Sequence, residues 1–151
     1  MKNMKKLLSI ILSFILVLSV APTASASEQG TVVSRQKIEL EDGIVIIDTL
    51  VEYTNARVWG KTATRLHEVY ADGILIGSIV LLGSFNYDGT TVTVTSMAVT
   101  QKDTYEGWRY VQNSLTSSGG TVTLNAKLTK LFSLNIPFTI SITCDANGNL
   151  S

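Results

Sequence analysis

Two Asp-Gly pairs, each close to short apolar runs, constrain this chain more than any other feature of its sequence. Asp72-Gly73 lies between Val69-Tyr70-Ala71 and Ile74-Leu75-Ile76, and Asp88-Gly89 follows Phe85-Asn86-Tyr87. An Asp-Gly pair favours a two-residue type I′ hairpin, because both central residues of that turn need positive φ. Two such turns so close together leave no room for a helix. The pattern therefore predicts two β-hairpins in this part of the chain.

Further β-type segments lie on both sides of these hairpins. Ile44 to Tyr53 is rich in β-branched residues, and Trp108 to Leu115 has the composition of a strand. Thr64 to Tyr70 has apolar residues at helical spacing, but the adjacent hairpin favours a strand there as well. Ser117 to Gly120 is predicted to be a flexible turn.

The C-terminal third alternates between apolar and polar residues. Thr121 to Leu128 has this period of two, which predicts a strand with one face toward the core. The inward residues would be Val122, Leu124, Ala126 and Leu128. The last strand is predicted over Phe138 to Cys144, with Pro137 at its entry, where a missing N–H is least costly. Asp145 to Asn149 is predicted to form the turn that closes this strand, since it departs from a calcium loop in its glycine position.

Eight or nine strands at a spacing of about ten residues indicate an all-β domain. We predict an antiparallel β-sandwich of about eight strands with immunoglobulin-like or jelly-roll-like architecture, and a small barrel is the alternative. The strand order cannot be read from the sequence.

Residues 1–26 have the three parts of a secretory signal peptide. Lys2, Lys5 and Lys6 are followed by the apolar stretch Leu7 to Val20 and by the small residues Ala24-Ser25-Ala26. The apolar stretch is shorter than the roughly 20 residues of a spanning helix. We therefore expect residues 27–151 to form a single extracellular domain that keeps no stable membrane span after cleavage.

The charge balance argues against nucleic acid as a partner. The whole chain has 12 basic and 12 acidic residues, and the predicted signal peptide contains three of the lysines and no acid. The remaining domain has a formal net charge of −3, which gives no attraction for phosphate backbones. No cluster of Cys and His predicts a metal site, and no motif predicts a cofactor.

His67 and Cys144 are the only residues of their types in the chain. His67 lies in no catalytic signature, and we interpret it as a histidine at the surface or rim of a strand. Cys144 shares a face with Ile140 and Ile142, which favours a buried free thiol. An intermolecular disulfide through Cys144 is the alternative, so a monomer or a weak homo-oligomer is expected. These observations predict a protein that is not an enzyme.

The aromatic residues are the best candidates for ligand contacts. Trp59 lies in a polar, glycine-containing stretch, and Tyr105, Trp108 and Tyr110 lie close together. Tyr and Trp combine flat apolar area with a polar group, which suits sugars, peptides and protein hot spots. The alternative for Trp108 is a position in the core between the sheets.

Two segments, Phe85 to Gly89 and Ser141 to Leu150, resemble those of small, uncharacterised secreted proteins of Gram-positive bacteria. The resemblance implies an exported β-rich domain and carries no activity and no site residues. Together with the export signal, it leads us to expect a secreted non-enzymatic binding domain that recognises a cell-surface glycan or protein. The alternative is a bacteriocin-like or toxin-like antagonist that acts on the envelope of neighbouring cells.

Overall fold

The computed structural model describes residues 30–54, 60–131 and 134–151. These residues form eight β-strands and one short 3-10 turn, Glu41–Gly43. The first five strands are β1 (Thr31–Glu39), β2 (Ile44–Thr54), β3 (Lys61–Ala71), β4 (Ile74–Tyr87) and β5 (Val92–Thr104). The remaining three are β6 (Trp108–Ser118), β7 (Thr121–Lys130) and β8 (Leu134–Thr143). The prediction of an all-β domain with about eight strands is confirmed.

The strands form two antiparallel sheets whose inner faces pack on each other. One sheet has the order β1-β2-β3-β4-β5 and the other has the order β6-β7-β8. Within the described residues the two sheets remain separate, as in a sandwich, and do not close into a barrel. Each strand pairs only with strands next to it in sequence. The topology is therefore an up-and-down meander, without the crossing connections of Greek-key sandwiches.

The core lies between the two inner faces and follows the alternation of the strands. Every predicted inward residue of β7 is buried, from Val122 to Leu128 in steps of two. β7 is the central strand of the smaller sheet, so one of its faces must meet the larger sheet. The opposing side chains include Leu50, Val69, Ile79, Leu81 and Phe85, all at 0–1% exposure.

The two Asp-Gly pairs form different turns. Asp72 and Gly73 have φ values of 51° and 79° and connect β3 directly to β4, as a type I′ turn requires. The second prediction was wrong in detail, because four residues, 88–91, separate β4 from β5. Asp88 Oδ1 accepts hydrogen bonds from the backbone N–H groups of Thr90 and Thr91 at 2.9 and 2.7 Å. These hydrogen bonds to the Asp88 side chain stabilise a four-residue loop, which is longer than the two-residue turn that an Asp-Gly pair favours.

Two element boundaries also differ from the prediction. The last strand begins at Leu134, so Pro137 lies inside it and pairs with Lys127. Proline is tolerated there because β8 is an edge strand, and a missing N–H interrupts no ladder on the open side. The turn predicted over Ser117 to Gly120 is confined to Gly119 and Gly120, since β6 continues to Ser118.

Candidate functional site

Alternate loops of this meander lie at the same end of the sandwich, because successive strands run in opposite directions. Three of these loops contain an acidic residue followed by glycine, namely Asp42-Gly43, Asp72-Gly73 and Glu106-Gly107. The three acidic residues have φ values of 61°, 51° and 54°, a left-handed conformation that few non-glycine residues adopt. We call these three segments the acidic turns.

Backbone hydrogen bonds connect the first two acidic turns to each other and the loop of the third to the larger sheet. The N–H of Asp72 donates to the carbonyl oxygen of Gly43 at 3.1 Å, and the N–H of Tyr105 donates to that of Ile76 at 3.1 Å. A Cβ at Gly43 would lie 2.6 Å from Asp72 Oδ1, so glycine permits the first two turns to touch. The carboxylates are therefore carried on short turns that are tied to paired strands.

The acidic turns surround an open pocket of about 420 Å³. Its wall combines apolar side chains from both sheets with four charged side chains. We call this concavity the acidic-turn pocket. It is lined by Ile44, Ala71, Ile74, Ile76, Trp108 and Leu134 and by Asp42, Asp72, Glu106 and Lys130.

Trp108 joins the pocket to the core of the sandwich. Its side chain is only 7% exposed and belongs to the buried cluster between the sheets. Trp108 pairs across the smaller sheet with Lys130, whose Nζ lies 5.9 Å from the centroid of the indole ring. This distance allows a cation–π interaction. Trp108 therefore borders the pocket without presenting a free flat face to it.

The other predicted aromatic contacts lie in different surroundings. Tyr105 is 43% exposed and begins the turn that precedes Trp108, whose N–H donates to the Tyr105 carbonyl at 3.0 Å. Tyr110 is half-buried against the core; its hydroxyl donates to Gln112 Oε1 at 3.1 Å, and burial raises its pKa. Trp59 lies outside the described residues. The structure thus brings Tyr105 and Trp108 to the pocket end, while Tyr110 does not line the pocket.

His67 is buried, so the expectation of a surface or rim histidine was wrong. Its side chain is 3% exposed and its Nδ1 lies 2.7 Å from Asp48 Oδ1. The imidazole stacks on Phe138 of the other sheet, with 4.6 Å between ring centroids. Its Nε2 is buried and has no hydrogen-bond partner among the described residues. An incoming substrate cannot reach this nitrogen without displacing core side chains, so the geometry suits a structural role.

Cys144 is a free thiol on the core face, as the alternation predicted. It is 1% exposed and directly follows β8, where it forms an isolated bridge with Leu150. Burial raises the pKa of the Cys144 thiol, and the charges of Asp145 and Glu52 raise it further against the opposing effect of Lys61. The neutral thiol is thereby favoured over the reactive thiolate.

We expect Cys144 in the native protein to react with a thiol reagent about a hundredfold more slowly than in the urea-unfolded protein. That ratio corresponds to a local opening that costs about 3 kcal/mol. The raised pKa also means that the unfolded thiol gains reactivity at lower pH than the native thiol does. Absorbance-monitored labelling with a disulfide reagent measures both rates. A native rate equal to the unfolded rate, or a reductant-sensitive dimer on gels, would show that the thiol is accessible.

The segment Asp145 to Asn149 is a turn, as predicted. Asp145 Oδ1 accepts hydrogen bonds from the backbone N–H groups of Asn147 and Asn149 at 2.8 Å each, and Oδ2 accepts one from the Asn149 amide at 2.7 Å. These bonds, chiefly the one from the Asn149 side chain, lower the pKa of Asp145. Its carboxylate oxygens are therefore occupied by the turn. No group of three or more His, Cys, Asp or Glu side chains in the described part of the chain is arranged to hold a metal.

Comparisons with protein-family models, curated proteins and solved structures gave no match. Over the residues that the structure describes, no helix is both long and apolar enough to cross a membrane. Asp42, Asp72 and Glu106 were not predicted as site residues, although an acidic residue before glycine recurs in alternate loops. This recurrence indicates a shared site only when the meander order is known, because that order places alternate loops at the same end of the sandwich.

Proposed function

We propose that this protein is a secreted, non-enzymatic binding domain that recognises a cell-surface polymer or protein through the acidic-turn pocket. The observation that carries the proposal is the pocket itself. A volume of about 420 Å³ lies within the range of ordinary ligand sites, which combine an apolar wall with a few polar groups. Asp42, Asp72, Glu106 and Lys130 are those groups here.

The construction of the pocket supports a binding role. The acidic turns are short, the first two are joined by a backbone hydrogen bond, and the loop of the third is tied to β4, so little conformational entropy is lost when a ligand orders them. Ile74 and Leu134 line the pocket and remain 57% and 41% exposed, which leaves apolar area for a ligand to cover. Secretion is part of the proposal and is supported by the signal-peptide pattern of residues 1–26, which lie outside the described residues.

Tryptophan fluorescence offers a direct test. The chain has two tryptophans, so a Trp59→Phe variant leaves Trp108 as the single indole emitter. We expect envelope fractions or a glycan panel to contain at least one component that shifts or quenches Trp108 emission, because Trp108 borders the pocket. Leu134→Asp should weaken that binding at least about tenfold, since it places a charge in the apolar wall.

The matched control is Met97→Asp. Met97 is 38% exposed, close to the 41% of Leu134, but it lies on β5 and is not among the pocket-lining residues. We expect this variant to bind as the parent does. Equal loss in both variants would mean that binding occurs elsewhere or that the charge only destabilises the fold. No fluorescence change with any fraction would count against the pocket as a binding site.

A further inference from the structure

The charged groups around the acidic-turn pocket are mainly negative. Asp42, Asp72 and Glu106 contribute three carboxylates, whereas Lys130 contributes the only cation among the lining residues. Lys130 is also positioned against the Trp108 ring, 5.9 Å from its centroid. A concave surface with one sign of charge concentrates its field and attracts ligands of the opposite sign. The pocket is therefore complementary to a positively charged group.

The wall and its surroundings also expose several large apolar side chains. Besides Ile74 and Leu134, the neighbouring Tyr105 is 43% exposed and Leu131 is 62% exposed. Leu131 directly follows Lys130, and Tyr105 directly precedes Glu106. Large apolar side chains that are exposed together mark surfaces where another molecule binds. The occupant must therefore offer apolar groups next to its positive charge.

The shape of the aromatic surface favours a polypeptide over a sugar chain. Sugar rings are held largely by stacking on an exposed flat aromatic face, but Trp108 is 7% exposed and its ring is approached by Lys130. Among the lining residues, the exposed apolar area comes instead from the branched aliphatic side chains of Ile74 and Leu134; Tyr105 lies beside the pocket but does not line it. Such side chains pack well against the leucine, isoleucine or valine of a partner protein.

We propose that the acidic-turn pocket binds a polypeptide segment in which lysine or arginine alternates with large aliphatic residues. The aliphatic side chains cover Ile74, Leu134 and Leu131, and the cationic side chains lie against the carboxylates of the acidic turns. This inference rests on the proposed binding function and specifies the partner for that same pocket. It assigns to Asp42, Asp72 and Glu106 the role of selecting the charge of the partner.

The test uses three synthetic hexapeptides with the Trp59→Phe protein. One alternates leucine and lysine, the second has glutamate in place of lysine, and the third has serine in place of leucine. Trp108 fluorescence and calorimetry measure binding at low and at high salt. We expect the leucine–lysine peptide to bind, the glutamate peptide not to bind, and the serine peptide to bind at least about tenfold more weakly. Binding should weaken as the salt concentration rises.

The key variant replaces all three carboxylates: Asp42→Asn, Asp72→Asn and Glu106→Gln together. Asparagine accepts positive φ nearly as well as aspartate does, so the turns at residues 42 and 72 should be retained. We expect the variant to bind the leucine–lysine peptide at least about tenfold more weakly than the parent. The control is Asp88→Asn, which removes a single negative charge at the opposite end of β4 and keeps an oxygen for the loop hydrogen bonds.

Each outcome separates the inference from the function on which it rests. If the triple variant binds the leucine–lysine peptide as tightly as the parent does, or the glutamate peptide binds equally well, the charge selection is wrong. If a neutral glycan shifts Trp108 emission and none of the peptides does, the binding function stands and the polypeptide partner is wrong. If no peptide, glycan or envelope fraction changes the signal, both proposals fail.

Discussion

Gly120→Ala is expected to reduce the free energy of unfolding by about 3 kcal/mol. A Cβ at this position would lie 2.6 Å from the carbonyl oxygen of Cys144 and 2.5 Å from Val92 Cγ1. The backbone also has a φ of 81°, which costs a non-glycine residue about 1–2 kcal/mol. Overpacking against a backbone atom adds about as much again. Urea denaturation, followed by tryptophan fluorescence, measures the change.

Gly119 provides the matched control in the same turn. Its φ is also positive, at 53°, but a Cβ at Gly119 would meet nothing within 4 Å. Gly119→Ala should therefore lose only the conformational part, about 1 kcal/mol. The difference between the two variants isolates the packing of the β6–β7 turn against Val92 and Cys144; the Cys144 N–H donates to the Gly120 carbonyl at 2.9 Å. Equal losses would show that the turn does not pack against the C-terminal segment as described.

A loss of similar size is expected at the pair formed by the half-buried Asp48 and the buried His67. Asp48→Ala is expected to destabilise the protein by about 2–3 kcal/mol, because it leaves Nδ1 of a 3% exposed imidazole without its 2.7 Å partner. The same carboxylate acts on Arg65, whose pKa is lowered by burial and raised in part by the charge of Asp48. Removal of Asp48 thus takes a hydrogen-bond partner from the buried His67 and a neighbouring negative charge from the half-buried Arg65. Chemical denaturation at neutral pH measures this loss.

Two further variants make the result specific to the pair. Asp103→Ala makes the same substitution at an exposed strand position on β5 and should cost less than about 1 kcal/mol. In a His67→Phe background there is no Nδ1 to leave unpaired, so Asp48→Ala should cost about 1 kcal/mol less than it does in the parent. If Asp48→Ala is as harmless as Asp103→Ala, or if its cost is unchanged in the His67→Phe background, the hydrogen bond is not an important source of stability.

Local chemistry explains which parts of the fold were predictable. The inward residues of β7 follow from alternation, and the Asp72-Gly73 turn follows from the φ preferences of two residues. The loop at Asp88 was mispredicted because its carboxylate captures two backbone N–H groups, an interaction that the dipeptide rule does not contain. Pro137 was placed at the start of β8 because a proline N–H is missing, but its position depends on which strand lies at the edge.

The burial of His67 could not be predicted, because it depends on partners that are distant in sequence. Asp48 lies 19 residues away along the chain, and Phe138 belongs to the other sheet. Polar residue types are mostly exposed. The imidazole of His67 can be buried at low cost in free energy only because a residue on another strand forms a hydrogen bond with it. The same reasoning applies to the candidate site, where Asp42, Asp72 and Glu106 are separated by about thirty residues each.

Three features follow from local sequence alone: the all-β class, the type I′ turn at Asp72-Gly73 and the core-facing side chain of Cys144. These features depend on backbone preferences and on a two-residue period, which act over a few neighbouring residues. The meander order of the strands and the meeting of the acidic turns at one pocket depend instead on contacts between distant parts of the chain. The reason is that loop proximity is set by strand order and direction, and these result from the packing of both sheets over a shared core rather than from local preference.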